Sequence, residues 1–353
     1  MRIAGIMSGT SLDGIDVAVV EIRGRSVETI GFTETRYTAA VRAAILAVSN
    51  TDTHTAAISR LSYQLGELYA KALLRTTRKF GAVELVGCHG QTIYHEGRRN
   101  TMQIGEPAVI AERTGLPVVS NFRARDIAAG GEGAPLVPYV DYLLFRHRTR
   151  NRVALNIGGI GNITVIPAAC APEEVIAFDT GPGNMVMDAL AQQVGRRCDT
   201  GGRIAASGNV NRKLLDRLLR DPYYRRKPPK SAGREQYGAE FVAALNATGL
   251  PLADLMATAT ALTAATIAMA AGHPDELIAA GGGVHNPQIM SYLAAFLPGT
   301  AICTSGDYGV DAGAKEAIAF AVLAYETWRG RPSNLPSATG ARRAAVLGSI
   351  TPA

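Results

Sequence analysis

The sequence has few of the features that mark several large classes of protein. Its 353 residues include four cysteines, with no CxxC pair and no histidine at a zinc-site spacing. Cys88, Cys170, Cys198 and Cys303 are therefore predicted to be reduced thiols outside any metal module. No uninterrupted apolar run approaches the roughly 20 residues that a membrane helix needs. We expect no membrane partner.

Further absences narrow the possible functions. The opening, Met1-Arg-Ile-Ala-Gly-Ile, has no signal-peptide layout, so we expect a cytoplasmic protein. Neither the P-loop pattern GxxxxGK[ST] nor the dinucleotide pattern GxGxxG occurs. The net charge of +6 is spread mainly over 146–152, 225–230 and 342–343, outside any helix-turn-helix, RRM or zinc-finger pattern. We predict no nucleic-acid partner and a surface that tolerates anionic small ligands.

The composition that is present is typical of an α/β protein with two domains. A chain of 353 residues exceeds one ordinary core, and 47% of its residues are hydrophobic. We predict a first domain at 1–135 and a second at 136–324. The segment 325–353 either completes the first domain or forms a loose end.

Two strand–turn–strand units occur, one near the start of each domain. The turn Ser8–Gly14 carries more hydroxyls and backbone N–H groups than a plain hairpin requires, and such a tip can hold phosphate oxygens. The turn Ile157–Gly161 repeats this arrangement. The predicted strands are 2–7, 15–22, 153–156 and 162–166. The repetition predicts a duplicated architecture that holds a nucleotide.

Asp179 lies on the turn around which the chain is expected to be organised. Val175–Phe178 is predicted as a short strand, and helical spacing begins at Met185. A carboxylate on such a turn faces a cleft, although the alternative that it only caps the helix stays open. A third glycine turn, Gly281–Gly283, follows a buried strand and allows a flat ring or a phosphate to pack against backbone.

Three longer segments complete the architecture. Thr53–Phe80 is predicted as an amphipathic scaffold helix. Asn121–Pro135 is rich in glycine, carries charges of both signs, and is either an interdomain connector or a substrate loop. Arg220–Tyr237 is predicted as a basic loop whose charges are solvated or contact phosphate or sugar.

Glu316 and two histidines each have a structural and a functional interpretation. Glu316 lies near the start of the last predicted helix, Asp311–Trp328, where an acid either stabilises the helix dipole or acts in a cleft. His89 and His95 do not form an evident metal pair and are interpreted as hydrogen-bonding side chains.

These turns together resemble those of the sugar kinase, Hsp70 and actin superfamily. Longer motifs occur in order along the chain: Met7-Ser-Gly-Thr-Ser-Leu-Asp-Gly-Ile-Asp16, His89-Gly-Gln-Thr92, Phe122-Arg123 with Asp126-Ile-Ala-Ala-Gly-Gly131, Gly133-Ala-Pro-Leu-Val-Pro138, Leu155-Asn-Ile-Gly-Gly159 and Phe178-Asp-Thr-Gly-Pro-Gly-Asn184. Through these motifs the chain, within that superfamily, resembles the anhydro-N-acetylmuramic acid kinase family from Ile3 to about Ala324.

The resemblance implies a two-domain ATPase fold with a central cleft. It also implies a kinase of peptidoglycan recycling that converts 1,6-anhydro-N-acetylmuramic acid and water into N-acetylmuramic acid 6-phosphate. The implied cofactors are ATP and Mg²⁺, and the implied assembly is a homodimer.

Carried over position by position, the resemblance implies Asp179 as catalytic base and Glu316 as a second cleft carboxylate. It implies contacts to the amino sugar from Gln91, Arg123, Asp126 and Asn184. The ATP-binding positions that it implies are Gly9, Thr10, Ser11, Leu12, Asp13, Gly14, Ile15, Asp16, Gly158, Gly159, Gly281, Gly282 and Gly283.

Two further assignments concern ions and charge. Asp13 and Asp16 are candidates for holding Mg²⁺ through water, because that ion keeps most of its hydration. Arg123 and Lys230 are candidates for binding the lactyl carboxylate of the sugar. Glu132 departs from the family pattern, in which we expect glutamine.

Two alternatives remain at this stage. The first is a kinase of another amino sugar. The second is an Hsp70-like module in which ATP controls binding of a protein partner. The chain ends soon after its last long helix, which leaves no room for a peptide-binding domain and counts against the second alternative.

Overall fold

The computed structural model describes residues 1–9, 12–24 and 26–353, with the Arg234 side chain left out, and divides into two compact units. Unit 1 comprises Met1–Leu144 and Ala314–Ala353, and unit 2 comprises Phe145–Gly313. These boundaries differ from the predicted 1–135 and 136–324, because the helix at 315–328 belongs to unit 1.

Close packing explains why that helix belongs to unit 1. A Cβ atom on Gly5 would lie 1.8 Å from the carbonyl oxygen of Ala317, and one on Gly87 would lie 2.2 Å from that of Phe320. The two glycines therefore let the helix approach the sheet more closely than any other residue would permit.

Among the residues that the structure describes, the first part of unit 1 contains six strands and five helices. They are β1 (Arg2–Ser8), β2 (Gly14–Arg23), β3 (Ser26–Arg36), α1 (Ala39–Leu46), α2 (Thr55–Phe80), β4 (Leu85–Glu96), β5 (Asn100–Ile104), α3 (Pro107–Thr114), β6 (Val118–Ser120), α4 (Phe122–Ala128) and α5 (Val137–Phe145).

Unit 2 follows with five strands and eight helices. They are β7 (Arg152–Ile157), β8 (Ile160–Ile166), β9 (Ile176–Pro182), α6 (Met185–Gln192), α7 (Arg203–Ser207), α8 (Arg212–Leu218), α9 (Pro222–Arg225), α10 (Arg234–Tyr237), α11 (Ala239–Asn246), α12 (Leu252–Ala271), β10 (Glu276–Ala280), α13 (Pro287–Phe296) and β11 (Ala301–Thr304). The chain then returns to unit 1 with α14 (Lys315–Trp328), α15 (Pro336–Thr339) and β12 (Ser349–Thr351). Short 3-10 helices occur at Pro172–Glu174, Thr200–Gly202, Gly282–His285 and Ser305–Tyr308.

The two sheets have the same core topology. In unit 1 the order is β12-β6-β4-β1-β2-β3, with β5 paired to β4, and in unit 2 it is β11-β10-β7-β8-β9. In each, the first three strands of the unit pair antiparallel in chain order, and β4 and β6 of unit 1, like β10 and β11 of unit 2, run parallel to the first strand. Unit 1 adds two antiparallel pairings, β5 with β4 and β12 with β6. The predicted α/β class and duplicated architecture are thus confirmed.

Each unit has its own hydrophobic core. In unit 1, Leu61, Leu65 and Ala72 of α2 are buried, as the amphipathic spacing predicted. In unit 2, α12 supplies much of the core. By length and composition α12 could cross a membrane, but 67% of its apolar window is buried inside the protein, as in the core helix of a globular unit.

Four elements differ from the predictions. Strand β3 was not predicted, because it lies half-exposed at a sheet edge and carries many polar residues. Helix α4 lies within Asn121–Pro135, which was predicted as a connector or a loop, and strand β5 occupies a segment for which no strand was predicted. Strand β9 runs through Pro182 instead of ending at Phe178, because the segment pairs with β8 across a register shift at Gly161/Asn162. The pairing places Asp179 within an edge strand, not on the turn.

The C-terminal segment packs on unit 1. Strand β12 pairs antiparallel with β6, and the Thr327 hydroxyl donates to the Leu347 carbonyl at 2.6 Å. The alternative of a loose end is therefore wrong.

Candidate functional site

In unit 2, hydrogen bonds with Tyr223, Lys230 and Ala232 hold Asp179 in place. Its N–H donates to the Lys230 carbonyl at 3.2 Å, and its own carbonyl accepts from the Tyr223 hydroxyl at 2.8 Å. Its carboxylate Oδ2 accepts from the backbone N–H of Ala232 at 2.9 Å. These contacts fix the residue at both backbone and side chain.

The carboxylate of Asp179 has the properties of a base. Burial raises its pKa above the ordinary value, and the Ala232 N–H opposes the shift by stabilising the ionised form. Among the described residues, Oδ1 receives no hydrogen bond. One oxygen is thus held by the protein, and the other is available to accept a proton.

The second hairpin contacts the start of α6. The Gly158 carbonyl accepts from the Asn184 N–H at 2.7 Å, and the Gly159 carbonyl accepts from Gly183 at 2.9 Å and Met185 at 3.2 Å. The hairpin tip thus satisfies N–H groups that a helix start leaves without intrahelical partners. Gly159 is exposed, so its backbone is accessible to a ligand.

The glycine turn at Gly281–Gly283 lies against the same hairpin. Gly281 has φ +82°, and a Cβ there would lie 2.6 Å from Asn156 Oδ1, so only glycine fits. The Asn184 amide donates to the Ile157 carbonyl at 3.0 Å, and a Cβ on Gly283 would lie 3.2 Å from Asn184 Oδ1. Unit 2 therefore brings the predicted positions of both turns and Asn184 together.

In unit 1, the first hairpin turn is partly described. The Leu12 N–H donates to the Gly9 carbonyl at 3.2 Å, and Leu12 has the left-handed φ of 58°. Thr10 and Ser11, predicted to bind phosphate, lie outside the described residues. Gly14 and Ile15 begin strand β2, and Ile15 is buried.

Gln91 supports the base of this turn. It is fully buried, its Oε1 accepts from the Ser8 hydroxyl, and its Nε2 donates to the Gly9 carbonyl at 3.4 Å. The Ser8 hydroxyl also lies 2.7 Å from the Tyr37 hydroxyl. The Gln91 amide is engaged within the protein and holds the turn, and the sugar contact predicted for Gln91 stays a prediction.

Four carboxylates share one region of unit 1. Burial, with the charges of Glu34, Glu316 and Asp13, raises the pKa of Asp16 to about 7. Asp13 and Glu34 are exposed. The Glu316 side chain is also accessible to solvent, yet burial by the protein around it raises its pKa. Glu316 lies at the start of α14 and also interacts with the charge of Arg123, so the predicted second carboxylate is placed beside the first turn.

Asp13 and Asp16 are the residues of this region that could hold a hydrated cation. The described residues contain no group of three or more histidine, cysteine or acidic side chains that could hold a metal. The crowded charge around Asp16 nevertheless favours a cation nearby, and Mg²⁺ accepts carboxylates through its water shell.

Arg123 is oriented by two acceptors. Its Nε donates to His89 Nε2 at 2.9 Å, and its Nη1 donates to the Gly133 carbonyl at 2.9 Å. His89 is buried, and its Nδ1 lies 2.8 Å from the Gly90 carbonyl, which requires the N–H on Nδ1 and leaves Nε2 as acceptor. Burial and the Arg123 charge hold the pKa of His89 well below its usual range, so the ring is neutral. The interpretation of His89 as a buried hydrogen-bonding residue is confirmed.

Asp126, predicted to contact the sugar, is fully buried, and both of its carboxylate oxygens accept hydrogen bonds within the protein. Oδ1 accepts from Asn334 Nδ2 at 2.6 Å and Thr339 Oγ1 at 2.8 Å, and Oδ2 accepts from the Gly133 N–H at 2.8 Å. Asp126 thus ties the glycine-rich segment to the C-terminal segment. The same Gly133 accepts from Arg123, so this anchor also supports the guanidinium.

Glu132 has an identified partner in the structure. Its Oε1 lies 2.6 Å from Arg98 Nε, and both side chains are exposed. Its backbone N–H donates to the Thr339 carbonyl at 2.7 Å. The added negative charge is therefore compensated by an arginine at the surface.

Sequence reasoning missed three polar residues of the site. Asn156 is the penultimate residue of strand β7 and lies beside Gly281, Asn162 pairs with Asp179, and Tyr223 donates its hydroxyl to the Asp179 carbonyl. Asn156 interrupts an otherwise apolar strand, and that was the available signal. Tyr223 left no signal, because it comes from a segment 44 residues away.

Comparisons with known proteins point to one family. The family model described as Anhydro-N-acetylmuramic acid kinase matches residues 1–353. The chain is 42% identical to the Anhydro-N-acetylmuramic acid kinase of Caldanaerobacter subterraneus subsp. tengcongensis, with 99% of this chain and 96% of that protein covered. It is 44% identical to the protein of that name from Bacillus cereus strain G9842, with 99% of each covered. Salinibacter ruber has another at 43% identity, with coverage of 99% and 96%.

Solved structures give weaker likenesses. Component A of (R)-2-hydroxyglutaryl-CoA dehydratase from Acidaminococcus fermentans matches with a TM-score of 0.47 at 12% identity, over 92% of this chain and 98% of that one. A ROK family glucokinase from Streptomyces griseus matches with a TM-score of 0.42 at 13% identity, over 92% and 100%. Scores at this level specify neither site nor substrate.

Proposed function

The chain belongs to the anhydro-N-acetylmuramic acid kinase family, and from that premise we propose how its own residues carry out the reaction. Membership makes the protein a kinase, that is, a phosphotransferase. The proposed reaction takes 1,6-anhydro-N-acetylmuramic acid, water and ATP to N-acetylmuramic acid 6-phosphate and ADP, within the recycling of peptidoglycan.

The substrate's chemistry requires ring-bridge opening together with phosphoryl transfer. The 1,6-anhydro bridge leaves no free 6-hydroxyl to phosphorylate. In the proposed step, water oxygen bonds to C1 as the C1–O6 bond breaks, O6 bonds to the γ-phosphorus, and the bond from that phosphorus to the departing ADP oxygen breaks. Asp179 takes the proton of the attacking water, which is general-base catalysis.

The single observation that carries this proposal is the arrangement at Asp179. The Ala232 N–H holds Oδ2 at 2.9 Å, while Oδ1 has no hydrogen-bond donor among the described residues. A base needs both a fixed orientation and a free lone pair. Asp179 has both, with a pKa raised by burial that increases its affinity for a proton.

The remaining roles follow from each unit's own residues. In unit 2, Gly158, Gly159, Asn184 and Gly281–Gly283 are proposed to contact the nucleotide or the sugar. In unit 1, the turn Gly9–Asp16 is proposed to bind the phosphates through backbone N–H groups. Mg²⁺, when bound, would neutralise phosphoryl charge, and Asp13 and Asp16 would hold its water shell.

Arg123 is proposed to bind the lactyl carboxylate of the sugar. His89 and Gly133 use its Nε and one Nη1 hydrogen, so the Nη2 side of the guanidinium stays available to an anion. Glu316 lies close enough to influence its charge and is proposed as a second carboxylate of the site.

We further propose a cytoplasmic homodimer, as the family resemblance implies. Light scattering of the purified protein at several concentrations measures its mass, and a value at one chain mass of 37.1 kDa throughout would contradict the dimer.

One assay tests the proposed activity. Purified protein is incubated with ATP and Mg²⁺, together with the anhydro sugar, with reducing N-acetylmuramic acid, or with no sugar. Mass spectrometry is expected to find a 6-phosphate only with the anhydro sugar. A phosphorylated product from the reducing sugar would favour a kinase of ordinary amino sugars. Loss of ATP with no sugar product would favour an ATP-driven binding module.

A further inference from the structure

Lys230 is a buried cation without an acidic partner among the described residues. It is 8% exposed, yet it takes part in no ion pair there. Burying an ammonium is costly unless its N–H groups are satisfied. The contacts of the Lys230 ammonium therefore indicate its role.

Two carbonyls and two aromatic rings surround the ammonium. Lys230 Nζ donates to the carbonyls of Tyr223 at 3.1 Å and Tyr224 at 3.2 Å, in helix α9. It lies 4.8 Å from the centre of the Tyr223 ring and 5.4 Å from that of Phe178. Cation–π contact with both rings replaces part of the lost hydration.

These contacts link three segments that meet at Asp179. Phe178 precedes Asp179 in strand β9, Tyr223 donates its hydroxyl to the Asp179 carbonyl, and the backbone of Lys230 accepts from the Asp179 N–H. Two residues after Lys230, the Ala232 N–H reaches the carboxylate. We propose that Lys230 is a positioning residue for Asp179: its ammonium fixes the 230–232 segment so that the Ala232 N–H binds Oδ2.

The inference rests on the proposed role of Asp179 and corrects the prediction made for Lys230 from the sequence. That prediction made Lys230 a surface charge or a contact to the sugar's carboxylate. Its carbonyl and ring contacts instead direct its charge into unit 2. It touches no reacting atom in this assignment, and its effect on the reaction passes through Ala232.

The expected consequence is a change in the pH profile. The groups around Asp179 are the neutral Asn162 of β8, the Tyr223 hydroxyl of α9 and the Ala232 N–H, with the cations Lys230 and Arg226 beyond them. The Ala232 N–H lowers the pKa of Asp179. Loss of that hydrogen bond raises the pKa, so the base becomes ionised only at higher pH.

The test compares Lys230→Met with the wild-type enzyme. The acidic limb of kcat/KM is expected to move up by about half a pH unit or more, and kcat to fall about tenfold. The KM for ATP should change less than twofold. Lys230→Gln keeps N–H donors without the charge, and its limb should move in the same direction by less.

A matched control separates positioning from stability. Leu245→Ala removes buried volume from α11 in the same unit, and the Leu245 side chain takes part in none of the hydrogen bonds or ring contacts of Lys230. It should lower the melting temperature and leave the acidic limb in place. If a folded Lys230→Met or Lys230→Gln enzyme keeps the wild-type limb, the positioning role is wrong.

Asp179→Asn distinguishes the two levels of the proposal. If Asp179→Asn is inactive while the Lys230 variants keep the wild-type profile, only the inference about Lys230 fails. If Asp179→Asn turns over normally, the proposed role of Asp179 fails, and that of Lys230 with it.

Discussion

The two hairpins place different pairs of side chains at corresponding positions of the same topology. In unit 1, Asp16 of β2 lies opposite Glu34 of β3, two residues into the strand after the turn. In unit 2, Asn162 of β8 lies opposite Asp179 of β9, at the same distance from its own turn. One sheet thus pairs two carboxylates, and the other pairs an amide with one carboxylate.

The difference has an electrostatic consequence. Like charges directly opposite each other on antiparallel strands repel, and Asp16 has its pKa raised to about 7, by burial first and by Glu34 next. Asp179 faces a neutral side chain, and its pKa rises through burial alone against the Ala232 N–H. The first arrangement places two like charges opposite each other, whereas the second leaves Asp179 without a like-charged partner across the strand pair.

The strongest test of this comparison removes the lone carboxylate. Asp179→Asn keeps the size and the hydrogen bond acceptor but cannot take a proton from water. We expect turnover to fall by about two to four powers of ten, with the Kd for ATP changed less than threefold. Initial rates and isothermal titration with ATP measure the two quantities. Undiminished rates would exclude Asp179 as the base.

A second variant gives unit 2 the charge pair of unit 1. Asn162→Asp places a carboxylate opposite Asp179, so repulsion should raise the pKa of Asp179 by about one further unit. Since the base must be ionised, the acidic limb of kcat/KM should move to higher pH by that amount. Rates above the limb should recover most of the wild-type value. A profile that stays in place would mean that the introduced carboxylate is screened from Asp179.

The converse variant gives unit 1 the pair of unit 2. Asp16→Asn removes a carboxyl whose folded pKa is about 7, well above the ordinary value of 3.8. Folding therefore favours the protonated form, so the wild-type protein loses stability as the pH rises from about 4 through 7. The variant lacks that loss.

Urea unfolding in EDTA measures the effect of Asp16→Asn. At pH 8 the variant should be more stable than the wild type by about 1 kcal/mol, a figure reduced for the partial exposure of the site. At pH 4 the two should coincide. If the variant and the wild type are equally stable at both pH values, burial and repulsion by neighbouring carboxylates do not destabilise ionised Asp16.

The smallest expected effect concerns a part of unit 1 that has no counterpart in unit 2. Glu132→Gln breaks only the exposed pair with Arg98 and restores the residue that the family pattern leads us to expect. Stability should change by less than about 0.5 kcal/mol, and kcat/KM by less than twofold. Thermal unfolding and initial rates check this. A larger loss would give the surface pair a role in the glycine-rich segment.

Local patterns predicted the elements whose causes are local. The spacing of Leu61 and Leu65 predicted α2, and the glycine turn at Gly281–Gly283 was located between its strand and helix. Strand β3 was missed because an edge strand is half-exposed and carries polar residues at many positions. Asp179 was assigned to a turn, since nothing in residues 175–184 reveals that β8 extends the pairing to Pro182.

The site was less predictable where partners are distant in sequence. From the sequence alone, Asp126 is interpreted as a charged residue on a loop. Its hydrogen bond with Asn334, 208 residues away, is visible only in the folded structure. Lys230 lies in a basic, proline-bearing segment that is typical of a surface, and only Phe178 and the α9 carbonyls explain its burial. Such contacts depend on the fold and leave no periodicity or motif in the sequence.

The return of the chain to complete the first sheet has a consequence for biosynthesis. Residues 145–313 form unit 2 from one continuous stretch, so this unit can collapse as soon as the ribosome releases it. Unit 1 cannot complete its fold until its last residues have been synthesised, because α14 and β12 pack on or pair with its sheet. Asp126 also lacks two of its hydrogen-bond donors until Asn334 and Thr339 leave the ribosome. Unit 2, which lies in the middle of the sequence, is therefore able to fold before unit 1 is complete.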